Sequence, residues 1–492
     1  MTRLSAATLA NAPAGVRLPD YDRSAITPGI VHLGIGAFHR AHMAVYVDDL
    51  LKDHPSWGIV GASLRRPDTK DALEPQDGLY TVAVRDASGT KARVIGSILK
   101  VLDANSQREE LLAAMADPAI RIVSLTVTEK GYCHDPATGE LDASHPDIVH
   151  DLANPTAPRS APGIIVEALA RRRAAGLAPF AVLSCDNLPS NGATVQRIVT
   201  RLAHLRDAEL GAWVEQVAFP GTMVDRIVPA TTDEDRAEIA GLIGAEDAWP
   251  IVTEPFTQWV IEDHFPQGRP PFESVGAQLV DDVEPFERMK LRMLNGSHST
   301  LAYLGYLAGY EHVSDAMGDD DFVALIHGLM THEVMPTLDM PGTDLGGYRD
   351  RLLERFRNPA LKHRTWQIAM DGSQKLPQRL LGTIRDRMAA EQPFERLALG
   401  VAGWMRYVMG IDEAGEIIDV RDPLAMRMLA IAADAGDDAE DLYIGLADLT
   451  EVFGTDLADN QSFGEAVATH LDTLFEIGVV ATVAEVVEEN AA

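Results

Sequence analysis

The chain has 492 residues, 46% of them hydrophobic, and carries 74 acidic side chains against 42 basic ones, a formal charge of −32. That field argues against a nucleic-acid partner, whose phosphates need a basic face, and against an anionic membrane surface; an anionic small molecule would need a locally basic pocket. Two cysteines, Cys133 and Cys185, make no disulfide framework and suit a reducing cytoplasm; no unbroken run of eighteen apolar residues predicts a membrane span, and the N-terminal stretch is too weakly apolar for a signal peptide.

In chain order, "GIVHLGIG" (29–36) reads as a strand ending in glycines, "AVYVDDLL" (44–51) as a helix from its apolar spacing, and "WGIVGASL" (57–64) as a second strand. "IRIVSLTVTE" (120–129), "GIIVEALARRRAAG" (163–176) and "PFAVLSCDN" (179–187) continue as strand, helix and strand. Such alternation predicts a doubly wound parallel sheet. From about residue 285 the strand signals fade, and "MKLRMLNGSHSTLAYLGYLAGY", "DDFVALIHGLMTHEVMPTL", "LALGVAGWMRYVMG" and "SFGEAVATHLDTLFEIGVVATVAEVVEE" read as helices. The expected architecture is an α/β domain over 1–284, Rossmann-type if its glycine turn binds a dinucleotide, followed by a mostly α-helical domain over 285–492.

That turn is "HLGIGAFHRAH" (32–42). Gly34 and Gly36 match the first two glycines of a dinucleotide fingerprint, one for the tight turn and one for close approach of a pyrophosphate. His39 stands where the third Gly or Ala belongs. After the second strand the usual acid is missing; Arg65 and Arg66 follow, which leaves NADP open beside NAD. Arg40 has two readings, a phosphate contact or a solvated side chain. His39 and His42 share a helix face, but no further ligands at metal spacing accompany them, so no metal is expected.

Polar groups end three apolar runs. Asp186 or Asn187 in "SCDNLPSNG" either points into the crevice at the strand ends or builds a turn. Asp225 and Arg226 in "TMVDRIVP" read most simply as an internal ion pair. Lys375 and Arg379, a helical turn apart, read as a solvated basic face. "KLRMLNGSHS" (290–299) is different, because Lys290, Asn295 and His298 interrupt an apolar helix, and buried polar groups cost free energy unless paired or used. On a regular α-helix Asn295 lies about 140° and His298 about 80° from Lys290, so the three do not focus on one atom; such a helix can present them to an extended substrate, and Gly296 could loosen it locally.

Lys290, Asn295 and His298 resemble the K-x4-N-x2-H signature of the mannitol dehydrogenase family, the polyol-specific long-chain dehydrogenases and reductases. "GIVHLGIGAFHRAH", "IVSLTVTEKGYC", "SCDN", "MVDRI", "QWVIED" and "IAMDGSQKLPQRLL" extend that resemblance over nearly the whole chain. It implies a Rossmann-type domain, a mainly helical domain, a site between them, NAD or NADP as cofactor and no metal. It implies Lys290 as catalytic acid/base, Asn187 and Asn295 as donors to the reacting oxygen, and His298 as an aid to substrate placement. Gly34 and Gly36, with the adjoining Ala37 and Phe38, and Arg65 would hold the cofactor, and Asp225 would lie near the substrate.

"TVTEKGYC", "MKLRMLNGSHS" and "HRTWQIAMDGSQKLPQRLL" are most similar to the branch that interconverts D-fructuronate and D-mannonate. Lys130, Lys375 and Arg379 are then the candidates to bind a substrate carboxylate. The alternatives are a dehydrogenase of mannitol, sorbitol or arabinitol and, more remotely, a silent NAD-binding sensor, which the intact Lys–Asn–His set disfavours.

Overall fold

A computed structural model describes residues 1–135 and 138–489. They fall into two compact units, Met1–Glu284 and Pro285–Ala492, the last three residues of the second lying outside the described part. The first unit has eleven strands: β1 (Pro28–Leu33), β2 (Gly58–Ser63), β3 (Tyr80–Asp86), β4 (Gly89–Ile95), β5 (Ile98–Asp103), β6 (Ile122–Leu125), β7 (Ala181–Ser184), β8 (Thr222–Asp225), β9 (Ile251–Thr253), β10 (Gln258–Glu262) and β11 (Gln278–Val280). The main sheet runs β5-β2-β1-β6-β7, and every pairing in it is parallel. Numbered in the order the chain builds this sheet, that is 3-2-1-4-5, the Rossmann half-order, whose direction reverses between β1 and β6. Both faces are covered, so β1 and β6 are almost wholly apolar and buried, and Val31, Leu33, Val123 and Leu125 pack with Ile164, Ile165 and Leu169 of helix Ala161–Ala174.

The expected strands and helices are present with shifted ends. β6 stops at Leu125 rather than Glu129, because Thr126 onward turns away to make other contacts. The run expected as one helix begins earlier and breaks at His42 (φ −117, ψ −96), giving helices Ala37–Ala41 and Met43–Leu50. Two further three-stranded sheets, β4-β3-β9 and β11-β10-β8, were not anticipated.

The second unit is helical. Helix Gly296–Leu307 packs on Glu395–Tyr407, and the approach is close because of two glycines: a Cβ on Gly400 would meet Thr300 Oγ1 at 2.8 Å, and one on Gly403 would meet Leu304 Cδ2 at 2.6 Å. Among the described residues one helix, Gln461–Glu489, is long and apolar enough to cross a bilayer by length and composition. It turns Phe463, Val467, Leu471 and Leu474 into the core against Glu395–Tyr407 and is interrupted at Gly478 (φ 77), so its apolar residues serve as a helix–helix packing stripe.

Candidate active site

At the end of β1, Gly34 has φ 87, and a Cβ there would meet the Thr126 carbonyl oxygen at 2.2 Å, so the turn demands glycine. Gly36 opens helix Ala37–Ala41, and over its α-carbon only Gly34 O comes within 4 Å, at 3.8 Å. Ala37 is exposed, and Phe38 stacks on His42 with ring centres 4.9 Å apart. His39 stacks on His32 at 3.4 Å, so an imidazole pair fills the helix–strand gap that a third glycine would close. Arg40 is not solvated: it is buried, with Nη1 donating to Trp249 O (2.5 Å) and Nε to Gly36 O (3.3 Å). His42 points elsewhere than His39, its Nε2 lying 2.9 Å from Gln258 O. Arg65 and Arg66 are both exposed beyond β2.

Burial drives the His32 ring down to about 3, and its nitrogens are taken up by Ser124 Oγ and Thr126 Oγ1, both at 2.8 Å. Between about pH 6.5 and pH 3 the unfolded chain binds a proton at this residue that the folded chain does not, so its contribution to stability is complete above that window and is lost as pH falls through it. Melting temperature should fall from neutral pH toward pH 4, and His32→Gln should flatten the fall; parallel pH series of thermal melts check this.

Asn187, just beyond β7, is exposed, whereas Asp186 turns its carboxylate back into the protein. Asp225 is buried at the end of β8. The expected Asp225–Arg226 pair is replaced: Arg226 donates to Ala41 O (2.5 Å) and Glu254 O (3.0 Å), because its long side chain reaches backbone acceptors on neighbouring segments. Lys130 is exposed in the short turn Glu129–Tyr132, and among the described residues its ammonium has no hydrogen-bond or ion-pair partner.

In the second unit, Lys290–Asn295 is a π-helical turn between helices Glu284–Met289 and Gly296–Leu307. A turn closed i→i+5 advances only about 80° per residue, which brings Asn295 within about 50° of Lys290 and His298 within about 20°. Gly296 is not the cause. Its φ of −63 and ψ of −50 are helical, and its missing Cβ instead admits Arg379 O, which would lie 2.8 Å away. The turn is anchored from outside by Arg292, whose Nη1 donates to Thr337 Oγ1 (2.7 Å) and pairs with Asp386 (2.6 Å). Two more π turns, Leu329–Val334 and Pro377–Leu381, pack against it.

Lys290 is 7% exposed and His298 6%. Burial, with His363, Arg355 and Arg379 nearby, holds the His298 imidazolium far below its ordinary range, so the ring is neutral. It lies against Phe356 (4.5 Å) and His363 (5.2 Å between ring centres). Lys375 and Arg379 do not form a solvated face: both are half-buried, Lys375 Nζ donating to Ile368 O (3.2 Å) and Met370 O (2.5 Å), and Arg379 Nη1 to Ser299 Oγ (3.1 Å). Arg355, which is buried, and His363 also belong to these surroundings and were not singled out from the sequence. Their proximity depends on helix Leu345–Phe356 folding back beside residue 298, and no local spacing signals it.

One trio among the described residues, Cys133, His145 and Asp147, brings possible metal ligands within 4.8 Å of one another. The sequence spacing hid it. The imidazole is already committed, since His145 Nδ1 accepts from Asp147 N (3.2 Å) as the cap of helix Pro146–Ala153, which leaves the ring proton on Nε2. Burial and the nearby Asp147 and Asp151 push the Cys133 thiol up to about 12, away from the thiolate a metal would need. Dialysis against a strong chelator should leave activity unchanged; a loss restored by zinc would make this trio the ligand set to test by substitution.

Residues 28–274 match the model of the mannitol dehydrogenase Rossmann domain, and 282–475 that of the mannitol dehydrogenase C-terminal domain. Two Escherichia coli proteins are each 50% identical to the chain: the uncharacterized oxidoreductase YeiQ, over 97% of this chain and 98% of that one, and D-mannonate oxidoreductase, over 96% and 98%. The solved ternary complex of Pseudomonas fluorescens mannitol 2-dehydrogenase with NAD and D-mannitol is 40% identical and superposes with a TM-score of 0.88 over 99% of this chain and all of that one. With both domain models matched in order and relatives aligned nearly end to end, the chain belongs to the mannitol dehydrogenase family and is an oxidoreductase of that family.

Proposed function

We propose that this oxidoreductase interconverts D-fructuronate and D-mannonate with NAD, using Lys290 as the general acid and base. The observation that carries the catalytic assignment is the buried Lys290 at the head of a π turn that ends on Asn295, with the buried His298 three residues further along the same helical run. The glycine turn fits a dinucleotide: the left-handed Gly34 shapes it, and the open space over Gly36 at a helix start suits a pyrophosphate. Ala37 and Phe38 continue that start, and Arg65 lies beyond the second strand, where an adenosine ribose would lie.

Bound nicotinamide would supply or accept the hydride at the substrate carbon. As negative charge grows on the ketone oxygen, the side-chain amides of Asn187 and Asn295 donate to it; a fixed donor of this kind is typically worth about 10²–10³ in rate. Lys290 Nζ then delivers the proton. In the oxidative direction Lys290 must be neutral to take one, which burial favours by penalising the ammonium. His298, being neutral, orients a hydroxyl by hydrogen bonding rather than by charge. Asp225 would accept from another hydroxyl.

The substrate assignment draws on the 50% identity to D-mannonate oxidoreductase and on the Lys130 ammonium, which has no partner among the described residues, with Lys375 and Arg379 as further cations in the second unit. A second reading, a mannitol-type polyol dehydrogenase, draws on the P. fluorescens relative. A panel of fructuronate, fructose, mannonate, mannitol, sorbitol and arabinitol with NAD(H) and NADP(H), followed at the nicotinamide absorbance, separates the two. Fructuronate with NADH should give the highest kcat/KM, and preference for a neutral sugar or polyol would sink the uronate reading.

A further inference from the structure

Four strand ends of the first unit are tied by one polar chain. Thr126 Oγ1, just past β6, donates to Gly34 O at the end of β1 (2.7 Å). The next two amides, Val127 N (2.9 Å) and Thr128 N (3.1 Å), donate to the two carboxylate oxygens of Asp186, beyond β7. The buried Tyr132 hydroxyl donates to the same carboxylate (2.7 Å) and lies 2.8 Å from Ser184 Oγ. The backbone oxygen of Asp186 accepts from Asn191 Nδ2 (3.0 Å), which also donates to Thr222 O (2.8 Å) at the start of β8.

At the centre of this chain Thr128 has φ 64 and ψ 163, a region that a residue with a branched Cβ avoids. Nothing in its own sequence favours that conformation. What holds it is the carboxylate: two acceptor oxygens take two successive N–H groups and a hydroxyl at once, which no neutral side chain of this size can do. Gly131 completes the device, since a Cβ there would meet Val127 Cβ at 2.8 Å, so the turn can fold back on Val127. Lys130 stands at the tip of this turn, and Asn187 is the residue next to Asp186.

We propose that Asp186 is a positioning residue, whose carboxylate holds Thr128 in its strained conformation and so sets Lys130 at a fixed spacing from Asn187. One substrate molecule is thereby gripped at its reacting oxygen and at its far end. The identity of the far-end group rests on the uronate reading; the clamp itself does not.

The test uses the full-length protein and two readouts, hydrogen exchange of the peptide covering 126–132 and kcat/KM on whichever substrate the wild type reduces best. Asp186→Asn turns an amide NH2 toward one of the two N–H groups. It should speed exchange at Val127 and Thr128 and lower kcat/KM by about tenfold or more, with NADH affinity within about threefold because Thr126 still holds Gly34. Glycine tolerates φ 64 without a clamp, so in a Thr128→Gly background the loss caused by Asp186→Asn should shrink to less than about threefold. Equal losses in the two backgrounds, or unchanged exchange, would overturn the proposal. If Asp186→Asn does not fold, Tyr132→Phe removes one of the three bonds and should move both readouts in the same direction by a smaller amount; no movement overturns it. A wild type that reduces only neutral ketoses would end the uronate reading, and the exchange and background dependence would still decide the clamp.

Discussion

Lys290→Ala is expected to lower kcat by about two to four orders of magnitude, the usual contribution of a positioned acid–base group. NADH affinity should stay within about threefold, because the glycine turn is built within the first compact unit, by Gly34 against Thr126. Lys290 is buried, 7% exposed. An ammonium in water, near about 10.4, is a poor base at neutral pH, and oxidation needs the neutral amine. The wild-type oxidation rate should therefore rise with pH through one ionisation that the variant lacks. Lys290→Met, which keeps most of the volume, separates lost chemistry from a packing defect and should be as inactive as the alanine variant. Steady-state rates across pH, with nicotinamide fluorescence titrations for affinity, supply both numbers. A variant retaining more than about a third of wild-type turnover would end the assignment of Lys290 as acid/base.

The parts of the fold that local pattern controls were legible. A glycine pair after an apolar strand announces the β1 turn, and strand signals give way to helical ones in the C-terminal half. The hairpin of β3 and β4 is signalled by the alternation of "YTVAVRD", a weaker pattern than the longer apolar runs on either side of it. The π turn was not readable. Nothing in "KLRMLN" breaks an α-helix, and the turn's outside contacts, Arg292 to Thr337 and Asp386, reach partners far along the chain. Asp186 posed the same problem. Beside Asn187 and Pro189 it looked like a turn former, and its bond to Thr128 depends on a backbone angle that no residue type at 128 announces. Both cases place a local irregularity beside the candidate chemistry, and in both a tertiary contact holds a conformation the local sequence does not choose.

Lys130→Met should separate an acidic substrate from a neutral one. Lys130 is exposed and without a partner among the described residues, in a turn whose backbone is fixed by Asp186 and Tyr132, so its position is defined while its charge is uncommitted. A substrate carboxylate meeting it would form a charge-assisted hydrogen bond, which contributes about 1.5–3 kcal/mol, or one to two decades in kcat/KM. A neutral ketose of the same length has no anion to place there and should lose little. The measurement is kcat/KM on fructuronate and fructose side by side, for wild type and variant, at two ionic strengths. Added salt should weaken the wild-type preference for the uronate and leave the variant unaffected, because an exposed charge pair is screened. If both substrates lose equally, Lys130 supports the turn and the carboxylate partner has to be sought at Lys375 or Arg379. Those half-buried cations already donate to the Met370 carbonyl and to Ser299, so a carboxylate there would have to displace or share existing bonds. That competition makes the uncommitted Lys130 the better anchor, and Lys375→Met should then change the uronate-to-fructose ratio less than Lys130→Met does.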